Sequence, residues 1–282
     1  MIAITGIFVY PVKSLKGISL TSAKTGSRGF EYDREWMITD SDYRFVTQRE
    51  IEKMATISVA IDSDFLVLNS ENHESLKINL NAKRDKSVKA IVWEDACEAF
   101  DEGDDASVWL TKVLDYYPEK PLRLVRFAKH EKRSVPVQFL KQEEAQSAFS
   151  DQFPYLITAE ESLIYLNENL GLNGAREVTM DRFRANIVIK GLAEIEQKTA
   201  CDLVAKDGGY RFGLRKPCKR CKITTIDQVT AEIPEPKEPL ATLTKLALSS
   251  ELKGAFFGQN AIFLSVVLQT IKVGDGLIIK NS

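Results

Sequence analysis

The first hundred residues carry the pattern that most restricts the fold of this chain. Short runs rich in β-branched and aromatic residues alternate with polar turns, as is typical of β-strands. The turns Asp40-Ser-Asp42 and Asp62-Ser-Asp64 are of the kind that joins hairpins. Strands of this length and spacing favour a barrel or a sandwich. The predicted strands are Ile2–Tyr10, Ile18–Lys24, Glu35–Thr39, Tyr43–Thr47, Thr56–Ile61, Leu66–Leu68 and Leu76–Leu80.

Helical patterns are fewer. Asp105 is a suitable N-cap for a helix from Ala106 to about Leu114, and Thr158 with Glu161 has the spacing of a capping box. Residues 129–153 are polar without clear periodicity, which predicts a long loop. The remaining predictions are a helix from Thr158 to Gly171, a helix from Pro239 to Ala247, and strands at Arg123–Phe127, Tyr155–Thr158, Val178–Lys190, Tyr210–Leu214, Lys222–Ile226, Ala261–Leu268 and Gly276–Ile279.

The composition excludes several classes of protein. Of 282 residues, 44% are hydrophobic and 28% charged, which is typical of a soluble globular protein with an ample core. The net charge of -2 argues against nucleic acid as a main partner, since binding to phosphate backbones usually needs a basic domain. No apolar run approaches the roughly 18 residues of a membrane span. The start of the chain lacks the basic region of a signal peptide, and Cys97 and Cys201 are isolated, so we expect a cytoplasmic protein with reduced thiols.

One basic segment contains two closely spaced thiols, Cys218 and Cys221. Between Arg211 and Lys222 there are six basic side chains and no acidic one. Neighbouring cations stabilise a thiolate, which is the form of cysteine that attacks or binds metal. The same charge attracts an anionic ligand. The segment therefore predicts a sulfur ligand or nucleophile beside a bound anion.

The residues alone leave several interpretations of this pair open. A zinc ribbon needs a second pair of ligands, but Cys97 and Cys201 stand apart, with only His73 and His130 in addition. A thioredoxin-type motif needs a helix after its first cysteine, whereas a β-branched run follows Cys221 here. A single functional thiolate in a basic pocket and two incidental cysteines are the other two interpretations.

Two further segments bring polar and basic residues together. Lys13 and Ser14 follow the first predicted strand, and Arg182, Arg184 and Asn186 alternate along a later one. An arginine can bind a phosphate or carboxylate through two hydrogen bonds, and an asparagine can both donate and accept. A solvated strand face is the alternative for each segment. The chain has no G-x-G-x-x-G or G-x-x-x-x-G-K-[ST] motif, too few cysteines for an internal iron–sulfur relay, and no evident Ser–His–Asp triad.

An ordered set of short motifs resembles the MOSC superfamily, in the branch with an N-terminal MOSC β-barrel domain. This branch includes the bacterial YcbX-like proteins and the mitochondrial amidoxime-reducing components. The matching segments run in family order along almost the whole chain: Tyr10-Pro-Val-Lys-Ser14, Asp33-Arg-Glu-Trp36, Arg182-Phe-Arg-Ala-Asn186, Lys216-Pro-Cys-Lys-Arg-Cys-Lys-Ile-Thr-Thr-Ile-Asp227, Phe257-Gly-Gln259 and Ile271-Lys-Val-Gly-Asp275.

The resemblance implies a fold and a division of the chain. We expect a β-rich α+β protein in which an N-terminal β-barrel-like MOSC domain, residues 1–120, packs with a MOSC β-barrel core, residues 121–282, that carries a few helices. The chain departs from the family pattern at Ala185, where a proline is common, and at Lys222, where an apolar residue is usual. The segment Glu194–Asp202 also lacks the expected acidic-tryptophan pattern.

The resemblance further implies molybdenum cofactor, a pterin dithiolene bearing a phosphate, with Cys221 as the metal ligand and catalytic residue. The expected function is reduction of N-hydroxylated compounds, with electrons from an external ferredoxin-, flavodoxin- or cytochrome-type protein and without a membrane or nucleic-acid partner. The alternative is a non-catalytic carrier of the cofactor or of cysteine-bound sulfur, and pyridoxal phosphate binding is a possibility at the superfamily level. The implied cofactor contacts are Lys13, Ser14, Arg34, Thr158, Ser162, Arg184 and Asn186.

Overall fold

The computed structural model describes residues 1–115, 120–198, 200–247 and 253–281. Strands dominate the first part of the chain, which ends in one helix. Its elements are β1 (Ile2–Val9), β2 (Ile18–Leu20), β3 (Ser22–Gly26), β4 (Gly29–Phe30), β5 (Trp36–Thr39), β6 (Ser58–Asp62), β7 (Phe65–Asn69), β8 (Leu76–Asn79), β9 (Ser87–Val92), β10 (Asp95–Asp101) and α1 (Asp104–Leu114).

The second part mixes strands with two helices and short 3-10 turns. Its regular elements are β11 (Arg123–Phe127), β12 (Tyr155–Ala159), α2 (Glu160–Leu172), β13 (Ile187–Lys190), β14 (Cys201–Ala205), β15 (Arg211–Lys219), α3 (Leu240–Ala247), β16 (Phe256–Phe263), β17 (Thr270–Lys272) and β18 (Gly276–Asn281). The 3-10 turns are Glu52–Thr56, Val137–Phe139, Met180–Phe183, Ile195–Gln197 and Lys222–Thr225.

The first strand closes a barrel that later strands build. The order β13-β12-β16-β15-β14-β18-β1 is closed by a further pairing of β13 with β1, so these strands form a ring of seven. Ile7 of β1 lies opposite Ile187 of β13, and both are buried in the main hydrophobic cluster. Tyr155 and Phe212 fill the same cluster edge to face, with ring centroids 5.1 Å apart. The fold therefore places the end of β1 at one rim of the barrel.

A second sheet lies outside the barrel and crosses the expected domain division. Its order is β5-β11-β10-β9, beside a meander of β6, β7 and β8. Helix α1 contributes Leu110 and Val113 to the hydrophobic cluster that holds Trp36. The strand β11 follows residue 120 but pairs with β5 and β10, whereas β1 precedes it and belongs to the barrel. The division at residue 120 stays a prediction.

Two predicted strands have a different structure because the backbone turns within them. Tyr43–Thr47 is linked to its neighbours only by isolated bridges, and Tyr43 has φ +60°. Residues 178–186 of the predicted strand Val178–Lys190 contain a 3-10 turn followed by Arg184 with φ +55°. The strand begins only at Ile187, so the prediction that Arg182, Arg184 and Asn186 share a strand face is wrong.

The predicted strand Lys222–Ile226 is also wrong, since residues Lys222–Thr225 form a 3-10 turn. The Thr224 hydroxyl donates to the Cys221 carbonyl at 3.0 Å, and the Thr225 hydroxyl donates to the Lys222 carbonyl at 2.8 Å. Such local hydrogen bonds to the backbone compete with strand pairing and override the preference of threonine for strands.

The predicted fold class is confirmed: the described residues are rich in strands, form a closed barrel and carry few helices. Within the described ranges, every helix is too short or too polar to cross a membrane.

Asp101, at the end of β10, accepts hydrogen bonds from several segments in and around the second sheet. Its carboxylate accepts hydrogen bonds from Arg123 Nη2 at 2.6 Å, Tyr43 Oη at 2.9 Å and Lys86 Nζ at 3.2 Å. Burial raises the pKa of Asp101, but the hydrogen bonds from Arg123 and its neighbours outweigh burial and lower the pKa to about 2. A carboxylate held in this way stabilises the folded state only while it is ionised.

We predict that Asp101→Asn destabilises the protein by about 3 kcal/mol at pH 7, because it leaves Arg123 without its buried partner. Since the folded pKa is depressed, the stabilisation is present above pH ~4 and is lost as the pH falls toward 2. Urea unfolding at several pH values should therefore show a shallower acid dependence in the variant.

The matched control is Asp104→Asn, because Asp104 binds the same arginine at 2.7 Å with a side chain that is 90% exposed. An exposed pair contributes ~1 kcal/mol or less. Equal losses of stability in the two variants would contradict the role assigned to Asp101.

Candidate functional site

A cavity of about 150 Å³ opens at the barrel rim where β1 ends, β12 begins and β15 ends. Two segments outside the barrel complete its wall, residues 47–49 and the loop at 150–153. Six of the residues expected to hold a cofactor or metal line this one cavity: Lys13, Ser14, Arg34, Arg184, Asn186 and Cys221. The structure therefore brings together segments that are far apart in the sequence.

The charge of the cavity wall is strongly positive. Among the described lining residues the one carboxylate is Asp151, whereas the cations are Lys13, Arg34, Arg49, Arg184, Lys219 and Arg220. Concentrated positive charge in a recess attracts anions. The wall is thus suited to a ligand that carries a phosphate or another multiply charged anion.

Tyr10 supports two of these arginines. The guanidinium carbons of Arg34 and Arg184 lie 4.3 and 4.4 Å from the centroid of the Tyr10 ring. Burial raises the pKa of Tyr10 to about 12 even though both arginines lower it, so the phenol stays neutral and donates to the Ala185 carbonyl at 3.1 Å. A Cβ at Gly17 would lie 2.5 Å from this ring, so the ring position requires glycine there.

Arg34 is fixed in place by buried acceptors. Its Nη1 donates to Asp33 and, at 2.9 Å, to Asn186 Oδ1, while its Nη2 donates to the Arg184 carbonyl at 3.0 Å. Asn186 also donates from Nδ2 to the Phe8 carbonyl at 3.2 Å. Asn186 Oδ1 accepts from the Leu156 amide as well, so this side chain links Arg34 to the ends of β1 and β12.

Arg184 differs from Arg34 because part of its guanidinium has no partner. Its Nη2 atom is buried and makes no hydrogen bond within the described residues. Burial lowers the pKa of Arg184, Tyr10 opposes this effect and Arg34 adds to it. An arginine remains charged at neutral pH. Arg184 therefore lines the cavity as a cation with one hydrogen-bond donor that has no partner in the described structure.

Three cavity residues have a backbone conformation that is uncommon for residues with a side chain. Ser14, Arg34 and Arg184 have φ of +68°, +51° and +55°. Such conformations cost of order 1 kcal/mol each and concentrate at functional sites. At each of these three residues the backbone leaves the extended conformation of a strand.

Lys13 reaches across the cavity to the loop at 147–153. Its Nζ donates to the Phe149 carbonyl at 2.8 Å and to Asp151 Oδ1 at 2.5 Å. Burial lowers the pKa of Lys13, although the Asp151 carboxylate opposes the shift. Arg133 holds the same loop through the carbonyls of Ala148, Ser150 and Asp151.

Both central thiols line the cavity, and both are free and partly buried. Cys218 lies in β15, and Cys221 directly precedes the 3-10 turn Lys222–Thr225 that stands where a strand was predicted. Arg220 Nη1 donates to Cys218 Sγ at 2.9 Å, and its Nη2 donates to the Phe183 carbonyl at 2.8 Å.

The structure offers no second pair of ligands for a zinc ribbon. Cys97 is buried in β10 and Cys201 lies in β14, and neither lines the cavity. Among the residues that the structure describes, no three His, Cys, Asp or Glu side chains are grouped so that they could hold a metal ion. A metal bound at Cys221 would therefore need ligands from another molecule.

Thr158 and Ser162 lie outside the cavity. The Thr158 hydroxyl is fully buried and donates to Met180 Sδ at 3.3 Å, and Ser162 donates to Glu196 at 3.0 Å. The predicted capping box is wrong: α2 begins without a side-chain cap, and Glu161 Oε1 instead accepts from the Gly191 amide at 2.6 Å.

Several residues in or beside the cavity are not among the predicted site residues. Tyr10 and Arg220 lie within the motifs already quoted, so their positions could have been inferred from those segments. Arg49 and Asp151 lie in segments without a distinctive pattern, and only the fold brings them to the cavity. Arg49 Nη2 lies 3.6 Å from Asp151 Oδ2, and its guanidinium lies 4.8 Å from the Trp93 ring centroid.

Comparison with known proteins gives matches along most of the chain. Residues 1–116 match the MOSC N-terminal beta barrel domain and residues 144–277 match the MOSC domain. Human mitochondrial amidoxime-reducing component 1 is 31% identical over 287 residues, which cover 95% of this chain and 80% of the human protein. Bovine molybdenum cofactor sulfurase is 26% identical over 245 residues, which cover 81% of this chain and 27% of that protein.

Among solved structures, the YUAD protein from Bacillus subtilis is 11% identical with a TM-score of 0.45, covering 99% of this chain and 96% of that chain. The two domain matches and the human relative establish the family. The chain belongs to the MOSC-domain proteins that carry an N-terminal MOSC β-barrel domain and include the mitochondrial amidoxime-reducing components.

Proposed function

We propose that the protein is a molybdenum-cofactor-dependent reductase of N-hydroxylated compounds such as amidoximes and hydroxylamines. The observation that carries the proposal is the Arg184 guanidinium, with its unpaired Nη2 atom, in the same cavity as Arg34 and the Cys221 thiol. Relatives named as amidoxime-reducing components and as a molybdenum cofactor sulfurase support the assignment.

The residues of the cavity fit molybdenum cofactor. Arg184 and Arg34 suit its phosphate, since charge-assisted hydrogen bonds from arginine to phosphate are stronger than neutral ones. Cys221 offers a soft sulfur donor, and the described residues include no group of three His, Cys, Asp or Glu side chains that could hold a metal, so the dithiolene of the cofactor would supply the further sulfur ligands. A cavity with a cationic wall and few protein ligands for a metal suits a metal that arrives with its own ligands.

The bound cofactor would supply the two-electron chemistry that removes oxygen from the N–O bond. The protein would bind and orient the cofactor and supply the electrostatic field around it. Reduction of an amidoxime consumes two electrons and two protons and releases an amidine and water. Cys221 would hold the metal, Arg34 and Arg184 would fix the orientation of the cofactor, and the loop at 147–153 held by Lys13 would border the substrate space. The electrons would come from an external electron-transfer protein of ferredoxin, flavodoxin or cytochrome type.

A second candidate function is a carrier of the cofactor or of cysteine-bound sulfur. The placement of two thiols in one cavity, with Arg220 donating to Cys218 Sγ, favours this alternative. A carrier would bind the cofactor without turning over N-hydroxylated compounds. Turnover of benzamidoxime with a chemical reductant by protein from a cofactor-competent host separates the two functions.

We predict that Arg184→Ala lowers the affinity for cofactor about tenfold, because one charge-assisted hydrogen bond to the phosphate is lost. The measurement is the molybdenum and pterin content of protein purified from a cofactor-competent host. Arg184 has an unpaired Nη2 atom, so the substitution should leave the thermal stability nearly unchanged.

Arg34→Lys is the preferred second variant, since alanine at this position would leave the buried Asp33 without its cation. Arg176→Ala is the matched control, because Arg176 is exposed and lies outside the cavity. Full cofactor content in Arg184→Ala would remove Arg184 from the binding site.

We further predict that Cys221→Ser abolishes turnover, because a serine hydroxyl is a harder and much less acidic ligand than a thiol. Cys218→Ser should keep most of the activity, since its sulfur is engaged with Arg220. Both variants are compared for molybdenum content and for turnover with a chemical reductant. Equal loss in both variants, together with bound zinc, would show that the thiols act as a pair and that the molybdenum assignment fails.

A further inference from the structure

A second cavity, of about 370 Å³, lies between α2, α3, the segment 193–197 and the start of β16. It is larger than the cationic cavity and has a more apolar wall, which includes Leu166, Leu243, Phe256 and Phe257. Tyr165 lies at its edge and is 57% exposed, so the cavity opens to solvent there. Cavities of this size, with an apolar body and a few polar groups, are typical of small-molecule sites.

The charged groups that line this second cavity in the described structure are all negative. Glu161, Glu194 and Glu196 line it, and no Lys, Arg or His does so among the described residues. None of the ion pairs within the described ranges involves these three carboxylates. Glu161 and Glu196 are partly buried and Glu194 is exposed, so the recess keeps a negative electrostatic potential. The arrangement therefore calls for a positively charged ligand.

Two of the carboxylates are held rigidly at the cavity wall. Glu196 accepts from the Gly258 amide at 2.7 Å and from the Ser162 hydroxyl at 3.0 Å, and burial raises the pKa of its carboxyl. Glu161 accepts from the Gly191 amide at 2.6 Å through Oε1, whereas its Oε2 atom is buried without a hydrogen-bond partner in the described structure. Glu161 Oε2 can therefore accept a hydrogen bond from a ligand.

The two cavities are separated by a pair of aromatic rings. Phe257 lines the second cavity and stacks on Phe183, which lines the first, with ring centroids 3.7 Å apart. One face of this wall borders a recess rich in arginine and lysine, and the other borders a recess rich in glutamate. The first cavity thus favours anionic ligands, and the second cavity favours cationic ligands.

We infer that the second cavity binds a small organic cation with an apolar body, such as an arylamidinium or arylammonium ion. Its charged group would meet Glu161, Glu194 and Glu196, and its apolar body would pack on Phe256, Phe257 and Leu243. This inference rests only on the residues of this cavity wall. It does not depend on the proposed reductase function.

The test is a calorimetric titration of the full chain with benzamidinium, a planar cation on an aromatic ring. Benzoate, which has the same body and the opposite charge, should not bind at this cavity. Glu161→Gln and Glu194→Gln should each weaken benzamidinium binding about tenfold, which corresponds to the loss of one charge-assisted hydrogen bond. Glu168→Gln is the matched control, since Glu168 is exposed on the same helix and does not line the cavity.

A variant that fills the second cavity and a competing anion show where benzamidinium binds. Ala193→Phe should abolish binding by filling the cavity from an exposed turn, without any change in charge. Inorganic phosphate, which the cationic cavity attracts, should not displace benzamidinium. No detectable binding at millimolar benzamidinium would overturn the inference. Equal binding by Glu161→Gln, Ala193→Phe and Glu168→Gln, each with an unchanged circular dichroism spectrum, would also overturn it.

Discussion

The contact of two guanidinium groups with one tyrosine ring is the constraint on which the cationic cavity depends. Arg34 and Arg184 repel each other, and both approach Tyr10 to within 4.4 Å of its centroid. Barrel closure brings Tyr10, directly after β1, beside Ala185 and Asn186, directly before β13. Asp33 and Asn186 then fix Arg34, whereas Arg184 keeps a buried donor without a partner in the described structure.

Two recesses of opposite charge lie on the two sides of the stacked rings of Phe183 and Phe257. Phe183 ends the 3-10 turn that precedes Arg184, and Phe257 is the second residue of β16, which lines the cationic cavity at Asn260. The same two elements therefore shape both recesses. A substitution in the Phe183–Phe257 pair would alter the walls of both, whereas changes at Arg184 or Glu194 should act on one cavity alone.

Much of the fold, and the grouping of six candidate site residues in one cavity, could be predicted from the sequence. The strand at Ile2–Val9, the helix at Leu240–Ala247 and the common location of Lys13, Arg34 and Cys221 agree with the patterns and the family resemblance. The errors have a local physical cause: threonine hydroxyls that bond the backbone at 222–226, and the left-handed Arg184 that ends the turn before β13. Asp151 and the Glu161 recess depend on tertiary contacts that no short pattern reports.

The account rests on Cys221 as a sulfur ligand beside an anion held by Arg184. X-ray absorption at the molybdenum edge, on protein purified from a cofactor-competent host, tests it most directly. The account predicts bound molybdenum with one more sulfur neighbour than the dithiolene provides, and the loss of that neighbour in Cys221→Ser but not in Cys218→Ser. Protein without molybdenum, or with a molybdenum environment that Cys221→Ser leaves unchanged, would contradict it.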